Sequence, residues 1–328
     1  MEKRILGKDL AVSAIGLGCM GLSHAYGLAT EKTQALKLIR EAVNVGYTFF
    51  DTAECYIGRY KDGSLSNNEE LVGEALKQYR GKVVIATKFG VRLEQDRITP
   101  PVPDSRPHII RASVEGSLKR MGLERIDLYY QHRIDPQVSP QEVAGVMSDL
   151  IKEGKIGHWG VSEADETYLR RAHAVCPITA IQNRYSMMAR QHESLFGVLF
   201  ELGIGFVAYS PMANGFLTAK YDRDCVFEAN IDYRSVMPQF EATGVDKNQR
   251  LLDLLRSFAY TKNATPGQIS LAWMLCKKPW IVPIPGTRSL SRMKENAVSS
   301  EVKLTDDEVN GLDEALDKVG MSKVFGVA

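Results

Sequence analysis

Short apolar runs alternate along the chain with segments in which apolar residues recur at every third or fourth position. Eight of these runs have the length of a buried strand, and they begin at Ser13, Tyr47, Val83, Ile126, Ile156, Ile178, Gly205 and Ile281. The segments between them have helical spacing, as in the series Ala35, Leu38, Ile39 and Ala42. This alternation predicts an α/β fold, a (β/α)8 TIM barrel formed by a single domain over residues 1–328.

Two additions to the barrel are expected. Residues 4–6 and 10–12 have the pattern of an N-terminal β-hairpin. Beyond the eighth strand two extra C-terminal helices are predicted, the last of them beginning at a capping sequence from Thr305 to Glu308. A doubly wound sheet would also alternate strands and helices, but it normally uses fewer strands per domain, and no linker divides this chain. Similar capping sequences mark earlier helix starts at Asn67, Ser139 and Thr265.

The composition is that of a soluble globular protein: 328 residues, 44% hydrophobic and 25% charged. The formal net charge is +1 without a dense block of like charge, which argues against nucleic acid or an anionic membrane as the main partner. The first ten residues contain no apolar core of a signal peptide, and no uncharged stretch is long enough to cross a bilayer. The five cysteines are widely spaced and form no CxxC motif, so we expect free thiols in a cytoplasmic protein.

The sequence from Gly16 to Gly21 formally matches the GxGxxG motif. In a dinucleotide-binding sheet the helix opens immediately after this motif, so that its N-terminus faces the pyrophosphate. Here residues 22–27 intervene before any helical pattern. A glycine-rich loop at the end of the first strand is the preferred interpretation, and this loop remains a candidate for cofactor contact at a barrel mouth.

Polar, chemically active side chains stand where three predicted strands end. Asp51 ends one apolar run and Tyr56 follows it, while Lys88 and His132 end the next two runs. The carboxyl ends of barrel strands meet at one mouth, where active sites are built. Taken singly, a lysine there is more often a solvated charge, and a histidine is more often a hydrogen-bonded neighbour of the core. Four such residues at consecutive strand ends predict one site.

The chemistry of these residues suits carbonyl reduction. A tyrosine can protonate the developing alkoxide, although its ordinary pKa of about 10 is high for this work. A neighbouring cation lowers that pKa, and Lys88 is the candidate, with Asp51 as its paired anion. His132 is expected to orient the carbonyl oxygen by hydrogen bonding. Cys19 and Cys55 are close in sequence, and we interpret them as inert buried thiols.

The sequence resembles the aldo-keto reductase superfamily over nearly its whole length. The similarity is carried, in order, by FFDTAE at 49–54 with Tyr56, NEE at 68–70, ATK at 86–88, QH at 131–132, GVS at 160–162, IQ at 181–182, AYSP at 208–211 and IPGT at 284–287. The resemblance implies a (β/α)8 barrel that uses NADPH without a Rossmann fold to reduce aldehydes or ketones. It also implies Asp51, Tyr56, Lys88 and His132 as the catalytic residues.

The same resemblance implies cofactor contacts. Ser162 and Gln182 would hydrogen-bond the carboxamide, Tyr209 would stack on the nicotinamide, and residues 210–217 would follow the pyrophosphate. Arg288 and Arg292 would face the 2′-phosphate, with Glu295 and Asn296 near the adenine. The full predicted set is Gly18, Cys19, Met20, Asp51, Ser162, Gln182, Tyr209, Ser210, Pro211, Met212, Gly215, Leu217, Gly286, Thr287, Arg288, Arg292, Glu295 and Asn296.

Two positions depart from the superfamily pattern. Glu163 replaces the asparagine found in many relatives after the carboxamide-binding serine, and Gly286 stands where some relatives have a phosphate-binding lysine. The loop over residues 57–66 is longer than in many members. It is expected to border the substrate pocket together with the loops after Lys88, His132 and Ser210. The sequence identifies neither the physiological substrate nor the oligomeric state.

Two other functions remain open at this point. A cofactor-binding regulatory subunit with slow turnover, like the barrel proteins attached to potassium channels, keeps the same four residues, so only turnover on simple aldehydes separates the two. A metal-dependent barrel hydrolase would need clustered His, Asp and Glu ligands at strand ends, which the sequence lacks, so no metal is expected. The strictness of NADPH over NADH is also open.

Overall fold

An eight-stranded parallel sheet forms the centre of the fold in the computed structural model, which describes residues 1–92 and 102–324. In chain order the strands of these ranges are β1 (Lys3–Leu6), β2 (Leu10–Ser13), β3 (Leu17–Gly18), β4 (Phe49–Asp51), β5 (Ile57–Arg59), β6 (Leu65–Asn67), β7 (Val84–Phe89), β8 (Val91–Arg92), β9 (Val102–Pro103), β10 (Ile126–Gln131), β11 (Ile156–Ser162), β12 (Ala180–Arg184), β13 (Gly205–Tyr209) and β14 (Ile281–Pro283). The sheet has the spatial order β3-β4-β7-β10-β11-β12-β13-β14, and the remaining strands pair as the antiparallel hairpins β1–β2, β5–β6 and β8–β9.

The two edges of the parallel sheet meet and close it. The backbone N–H of Gly16 donates to the carbonyl oxygen of Pro283 at 2.9 Å, and that of Gly18 donates to the carbonyl oxygen of Pro285 at 3.4 Å. These bonds connect the segment of β3 to the segment of β14, so the sheet curls into a barrel. The predicted (β/α)8 architecture is confirmed.

The glycines of the formal GxGxxG motif allow this closure. A Cβ atom on Gly18 would lie 2.7 Å from the carbonyl oxygen of Ile284, closer than side-chain carbons approach backbone. A short 3-10 turn over Met20–Leu22 follows the motif, and the first α-helix begins only at Lys32. The motif therefore forms the seam of the barrel, and no helix N-terminus opens directly behind it.

Helices pack on the outer face of the sheet. In chain order they are α1 (Lys32–Val45), α2 (Asn68–Leu76), α3 (Pro107–Met121), α4 (Pro140–Lys152), α5 (Glu166–His173), α6 (Phe196–Leu202), α7 (Ala242–Lys247), α8 (Gln249–Thr261), α9 (Pro266–Lys277), α10 (Leu290–Val298) and α11 (Asp306–Lys318). Side chains of Asn67 and Ser139 cap α2 and α4, and full capping boxes at Thr265 and Thr305 begin α9 and α11. The predicted helix starts are thus confirmed.

Several elements differ from the prediction. Pairing in the first barrel strand begins at Leu17 rather than at Ser13, because Ser13 belongs to the hairpin strand β2. Helix α7 and the hairpins β5–β6 and β8–β9 were not predicted, since their sequences lack a clear apolar period.

Buried apolar side chains form one core inside the barrel and a second core between the sheet and the helices. Polar side chains occupy one end of the barrel. Inside the barrel, Leu6, Leu10 and Val12 from the β1–β2 hairpin are buried with Phe49 and Val207 from the sheet. The hairpin thereby covers the amino-terminal ends of the strands, where Leu6 also meets the start of β13. A larger core lies between the sheet and the helices. Within the described ranges, no helix is both long and apolar enough for a membrane crossing.

Candidate active site

Lys88 lies at the centre of a polar cluster at the carboxyl ends of β4 and β7. Its Nζ donates to Asp51 Oδ1 at 2.5 Å, to the carbonyl oxygen of Thr52 at 2.8 Å and to the Tyr56 hydroxyl oxygen at 3.5 Å. Three acceptors match the three protons of an ammonium group, and Lys88 is fully buried. A buried cation of this kind requires a paired anion, which Asp51 at the end of β4 provides.

The second oxygen of Asp51 is also occupied. Gln182, in β12, donates from Nε2 to Asp51 Oδ2 at 2.7 Å across the barrel interior. In the neighbouring strand β11, Ser162 pairs with Gln182 in register. One predicted cofactor residue therefore touches the predicted catalytic cluster directly, and another lies beside it.

The backbone around Tyr56 is fixed by Asn68, a buried residue at the start of α2. Its backbone N–H donates to the carbonyl oxygen of Tyr56 at 3.1 Å, and its side chain accepts from Thr52 Oγ1 at 2.6 Å. The same side chain donates to the carbonyl oxygen of Cys19 at 2.9 Å and to Ser23 Oγ at 2.6 Å. Asn68 thus connects the loops that follow β3 and β4. From the sequence, Asn68 was identified only as part of the family resemblance, in the motif at residues 68–70.

The segment 57–66, predicted to border the pocket, forms the β5–β6 hairpin directly after Tyr56. Gly58 packs so closely on the loop after β3 that a Cβ atom there would lie 1.7 Å from the carbonyl oxygen of Ser23. This contact requires glycine and brings the two loops together beside Tyr56. The loop after Lys88, the second expected border, includes residues 93–101, which lie outside the described residues.

The Tyr56 hydroxyl is protonated at neutral pH. Burial raises the pKa of Tyr56 well above its ordinary value, Asp51 and Cys55 raise it further, and Arg133 opposes them. From the sequence, Lys88 is expected to lower this pKa, whereas the net shift in the folded chain is upward. The physical reason is the burial of the phenol, which is the largest effect, and Asp51, the anion paired with Lys88 at 2.5 Å, raises the pKa further.

His132 follows β10, with its backbone N–H donating to the carbonyl oxygen of Phe89 at 2.9 Å. Its ring and the Tyr56 ring meet edge to face, with centroids 5.7 Å apart and an interplanar angle of 82°. Burial, then the charges of Arg133 and Lys88, lower the pKa of His132 well below its ordinary value. The imidazole is therefore neutral at physiological pH, and one of its nitrogens is a hydrogen-bond donor.

His24, an aromatic neighbour of Tyr56, and Tyr233, which contacts His24, were not identified from the sequence. The rings of His24 and Tyr56 are nearly parallel, with centroids 6.0 Å apart. His24 Nδ1 lies 3.2 Å from the carbonyl oxygen of Ile57, and its Nε2 lies 3.3 Å from the hydroxyl oxygen of Tyr233. A carbonyl oxygen only accepts, so Nδ1 carries the proton and Nε2 accepts from Tyr233. Single aromatic residues in loops give no sequence signal, and their position here depends on the fold.

Arg133 contacts the predicted carboxamide residue Ser162, and Glu163 follows Ser162 in the sequence. Arg133 Nη1 donates to Ser162 Oγ at 3.3 Å. Glu163 adopts a left-handed backbone with φ of 59°, and its carboxylate accepts from the backbone N–H of Arg184 at 2.9 Å and lies 3.3 Å from His192 Nε2. Glu163 is thus engaged by protein groups.

Tyr209, the predicted nicotinamide-stacking residue, is half-buried at the end of β13. The Arg184 guanidinium lies over its ring, 5.0 Å from the centroid, an arrangement favourable for a cation–π contact. After Tyr209 the chain has left-handed φ at Ser210, Ala213 and Asn214, with values of 50°, 46° and 61°. Strained backbone of this kind persists where the surroundings enforce it, often at binding sites. It falls on the segment predicted to follow the pyrophosphate.

The predicted phosphate-binding arginines differ in their contacts. Arg288 Nε donates to the carbonyl oxygen of Gly21 at 2.5 Å, whereas its Nη2 is buried without a hydrogen-bond partner in the described part of the chain. Arg292, in the first turn of α10, forms an ion pair with Glu295 at 2.7 Å. Glu295 is held in turn by Thr265 Oγ1 at 2.6 Å. Arg292 is therefore already paired with a carboxylate of its own helix.

The structure brings Asp51, Tyr56, Lys88, His132 and Gln182 into one contact network. Arg288 links the start of α10 to the loop after β3, which holds the predicted residues Cys19 and Met20 and follows the predicted residue Gly18 at the end of β3. Over residues 1–92 and 102–324, no group of three or more His, Cys, Asp or Glu side chains is arranged to hold a metal ion.

Comparisons with known proteins agree with one another. The family model described as "Aldo/keto reductase family" matches residues 14–317. The chain is 39% identical over 311 residues to the probable aldo-keto reductase 1 of Glycine max, covering 93% of this chain and 86% of that protein. It is 37% identical over 320 residues to the aldo-keto reductase str7 of Strobilurus tenacellus, covering 94% and 90%. The solved structure of the glycerol dehydrogenase AKR11B4 from Gluconobacter oxydans matches with a TM-score of 0.84 and 26% identity, covering 99% of this chain and 98% of that one.

Proposed function

The chain belongs to the aldo/keto reductase family, and on this basis we propose that it is an NADPH-dependent oxidoreductase that reduces aldehydes or ketones to alcohols. The observation that supports this most is the position of Lys88 Nζ between Asp51 Oδ1 and the Tyr56 hydroxyl. It places a protonated phenol beside a buried ion pair at the barrel mouth. The name of one solved neighbour, a glycerol dehydrogenase, agrees with alcohol–carbonyl interconversion at a site of this kind.

Tyr56 is the proton donor in this proposal. NADPH, when bound, supplies the hydride that reaches the carbonyl carbon. The Tyr56 hydroxyl keeps its proton at neutral pH because burial raises its pKa, and it gives that proton to the carbonyl oxygen as negative charge develops there. Lys88 fixes the position of the hydroxyl oxygen, and Asp51 with the Thr52 carbonyl oxygen fixes Lys88. None of these groups must reorganise during the reaction, which favours the transition state.

His132 is the second group that acts on the carbonyl oxygen. Its neutral ring has one N–H, and the ring stands edge-on to Tyr56. A hydrogen bond from this N–H would orient the carbonyl oxygen toward the tyrosine hydroxyl. A neutral imidazole is also a much weaker acid than an imidazolium, so His132 does not compete with Tyr56 as the proton donor.

The residues of the site fit NADPH. Arg288 Nη2 is a buried donor that lacks a partner among the residues described, and a phosphate oxygen would satisfy it. Arg288 and Arg292 at the start of α10 would hold the 2′-phosphate, with the helix N-terminus adding a favourable partial charge. Ser162, Gln182 and Tyr209 would hold the nicotinamide. Residues 18–20 and 210–217 would hold the pyrophosphate and riboses, and Gly286, Thr287, Glu295 and Asn296 would surround the adenosine.

Steady-state turnover tests the proposal. A panel of aromatic and aliphatic aldehydes and ketones is assayed by the loss of NADPH absorbance, with Tyr56→Phe as the matched control. General acid catalysis contributes about 100-fold or more, so we expect Tyr56→Phe to remove nearly all turnover and to leave NADPH binding unchanged. Tight NADPH binding without turnover on any carbonyl would instead support a cofactor-binding regulatory subunit.

A cytoplasmic location is proposed from the thiols. All five cysteines are free, which is typical of reducing compartments. Fractionation of the source cells tests this, and recovery in a secreted fraction would contradict it.

A further inference from the structure

Cys55 contacts His132, and this contact has no role in the reaction proposed above. Cys55 precedes Tyr56 directly, it is a half-buried free thiol, and its Sγ lies 3.5 Å from His132 Nδ1. That separation is within hydrogen-bonding distance for sulfur, which is a weak donor as a thiol. The contact joins the loop after β4 to the residue that follows β10, beside Tyr56.

The direction of this hydrogen bond follows from the protonation of both partners together with their strengths as acceptors. Burial raises the pKa of Cys55 to about 12, so the thiol keeps its proton at neutral pH. The neighbours Arg133, Lys88 and His24 all add to burial in disfavouring a second proton on His132. A thiolate–imidazolium pair, as in nucleophilic cysteine sites, is therefore not formed here. Between a thiol and a neutral imidazole the ring nitrogen is the better acceptor, because sulfur accepts hydrogen bonds only weakly, so the S–H group donates and Nδ1 accepts.

This direction fixes the tautomer of His132. A neutral imidazole has one N–H, and when Nδ1 accepts a hydrogen bond the proton resides on Nε2. For Nε2 no protein hydrogen-bond partner is present in the described ranges, and it is not among the buried atoms that lack partners. Nε2–H is thus the side of the ring that is available to a substrate.

We propose that Cys55 is a positioning residue that holds His132 in the Nε2–H tautomer and thereby presents a hydrogen-bond donor to the substrate carbonyl oxygen. The last step rests on the proposed carbonyl reduction. The tautomer itself does not, and it can be measured on the protein without substrate.

Proton–nitrogen NMR correlations of histidine-labelled protein test the tautomer. The variants are Cys55→Val, which has similar size and no donor, and Cys55→Ser, which keeps a donor. We expect His132 to be Nε2–H in the wild type and in Cys55→Ser, and to populate Nδ1–H in Cys55→Val. His24 is the internal reference, because its Nδ1 faces the carbonyl oxygen of Ile57 and it should remain Nδ1–H in all three proteins. An unchanged His132 tautomer in Cys55→Val, with the His24 signals intact, would overturn the proposal.

Kinetics test the consequence. A neutral hydrogen bond is worth about 0.5–1.5 kcal/mol, so Cys55→Val should lower kcat/KM for carbonyl reduction by about two- to ten-fold, with Cys55→Ser close to the wild type. NADPH affinity should be the same in all three. If Cys55→Val changes the His132 tautomer but the wild-type protein has no reductase activity, the positioning role of Cys55 stands and the proposed function is rejected. Equal losses of kcat/KM in the serine and valine variants would show that Cys55 acts only through packing. If Cys55→Val fails to fold, Cys55→Ala replaces it.

Discussion

Gln182 Nε2 donates a hydrogen bond to Asp51 Oδ2 at 2.7 Å, while Lys88 Nζ occupies Oδ1 of the same carboxylate at 2.5 Å. Asp51 is thus held between a cation and an amide, both buried. The bond connects β12, where nicotinamide contacts are predicted, to the ion pair behind Tyr56. Substitutions at the proposed carboxamide site should therefore affect Tyr56, the proposed proton donor.

Replacing Gln182 with leucine removes one charge-assisted hydrogen bond without changing the volume much. We expect Gln182→Leu to lower the free energy of unfolding by about 1.5–3 kcal/mol, because a buried carboxylate oxygen loses its partner. A double-mutant cycle with Asp51→Asn locates the effect, measured by urea unfolding. Neighbours that share a hydrogen bond are non-additive, and strictly additive losses would show that Gln182 acts elsewhere.

Removing only the positive charge of Lys88 should lower the free energy of unfolding more than removing both charges of the Lys88–Asp51 pair. Lys88→Met leaves Asp51 buried and unpaired, and breaking a buried pair typically costs about 3–5 kcal/mol. The double variant Lys88→Met with Asp51→Asn has no uncompensated charge and should recover part of that stability. Urea unfolding of both variants measures this. If the double variant is no more stable than Lys88→Met, the ion pair is not the source of the loss.

The pH dependence of reduction follows from two opposite pKa shifts. Tyr56 acts in its protonated form, which is lost only as the pH rises through a pKa that burial raises above the ordinary value of about 10. His132 acts as a neutral ring, which is lost only as the pH falls through a pKa that burial lowers below about 6.5. We expect kcat/KM for the carbonyl to be flat from about pH 7 to pH 9. An inflection in that window that persists with different carbonyl substrates would contradict these shifts.

The barrel and the four central residues were predictable because they follow from short-range patterns. Apolar runs fix the strands, and a parallel barrel brings the carboxyl ends of those strands together, so Asp51, Lys88 and His132 had to converge. The position of Tyr56 depends additionally on Asn68, whose side chain joins the loops after β3 and β4.

The remaining features depend on contacts that are distant in sequence. His24 meets Tyr233 across 209 positions, and this pair exists only because the loops after β3 and β13 pack together. The upward net shift of the Tyr56 pKa could not be predicted, since the burial of the phenol is a property of the folded chain. The left-handed backbone of Glu163 likewise gives no local signal in a non-glycine residue.

Cofactor choice is the last prediction, and the structure changes which arginine should matter more. From the sequence, Arg288 and Arg292 were equivalent candidates for the 2′-phosphate. In the structure, part of the charge of Arg292 is satisfied by Glu295 at 2.7 Å, whereas Nη2 of Arg288 is a buried donor that lacks a partner in the described chain. A charge-assisted hydrogen bond contributes about 1.5–3 kcal/mol, which corresponds to roughly ten-fold or more in affinity.

We therefore expect NADPH to bind at least about ten-fold more tightly than NADH, and Arg288→Met to reduce this ratio more than Arg292→Met does. Fluorescence titration of both cofactors against each variant measures the ratio directly. Arg256→Met is a suitable control, because Arg256 is an exposed residue of α8 that pairs with Asp253 outside the predicted site. NADH affinity should stay nearly constant throughout, since NADH lacks the phosphate. If Arg288→Met weakens NADPH and NADH equally, Arg288 supports the loop at Gly21 and does not recognise the 2′-phosphate.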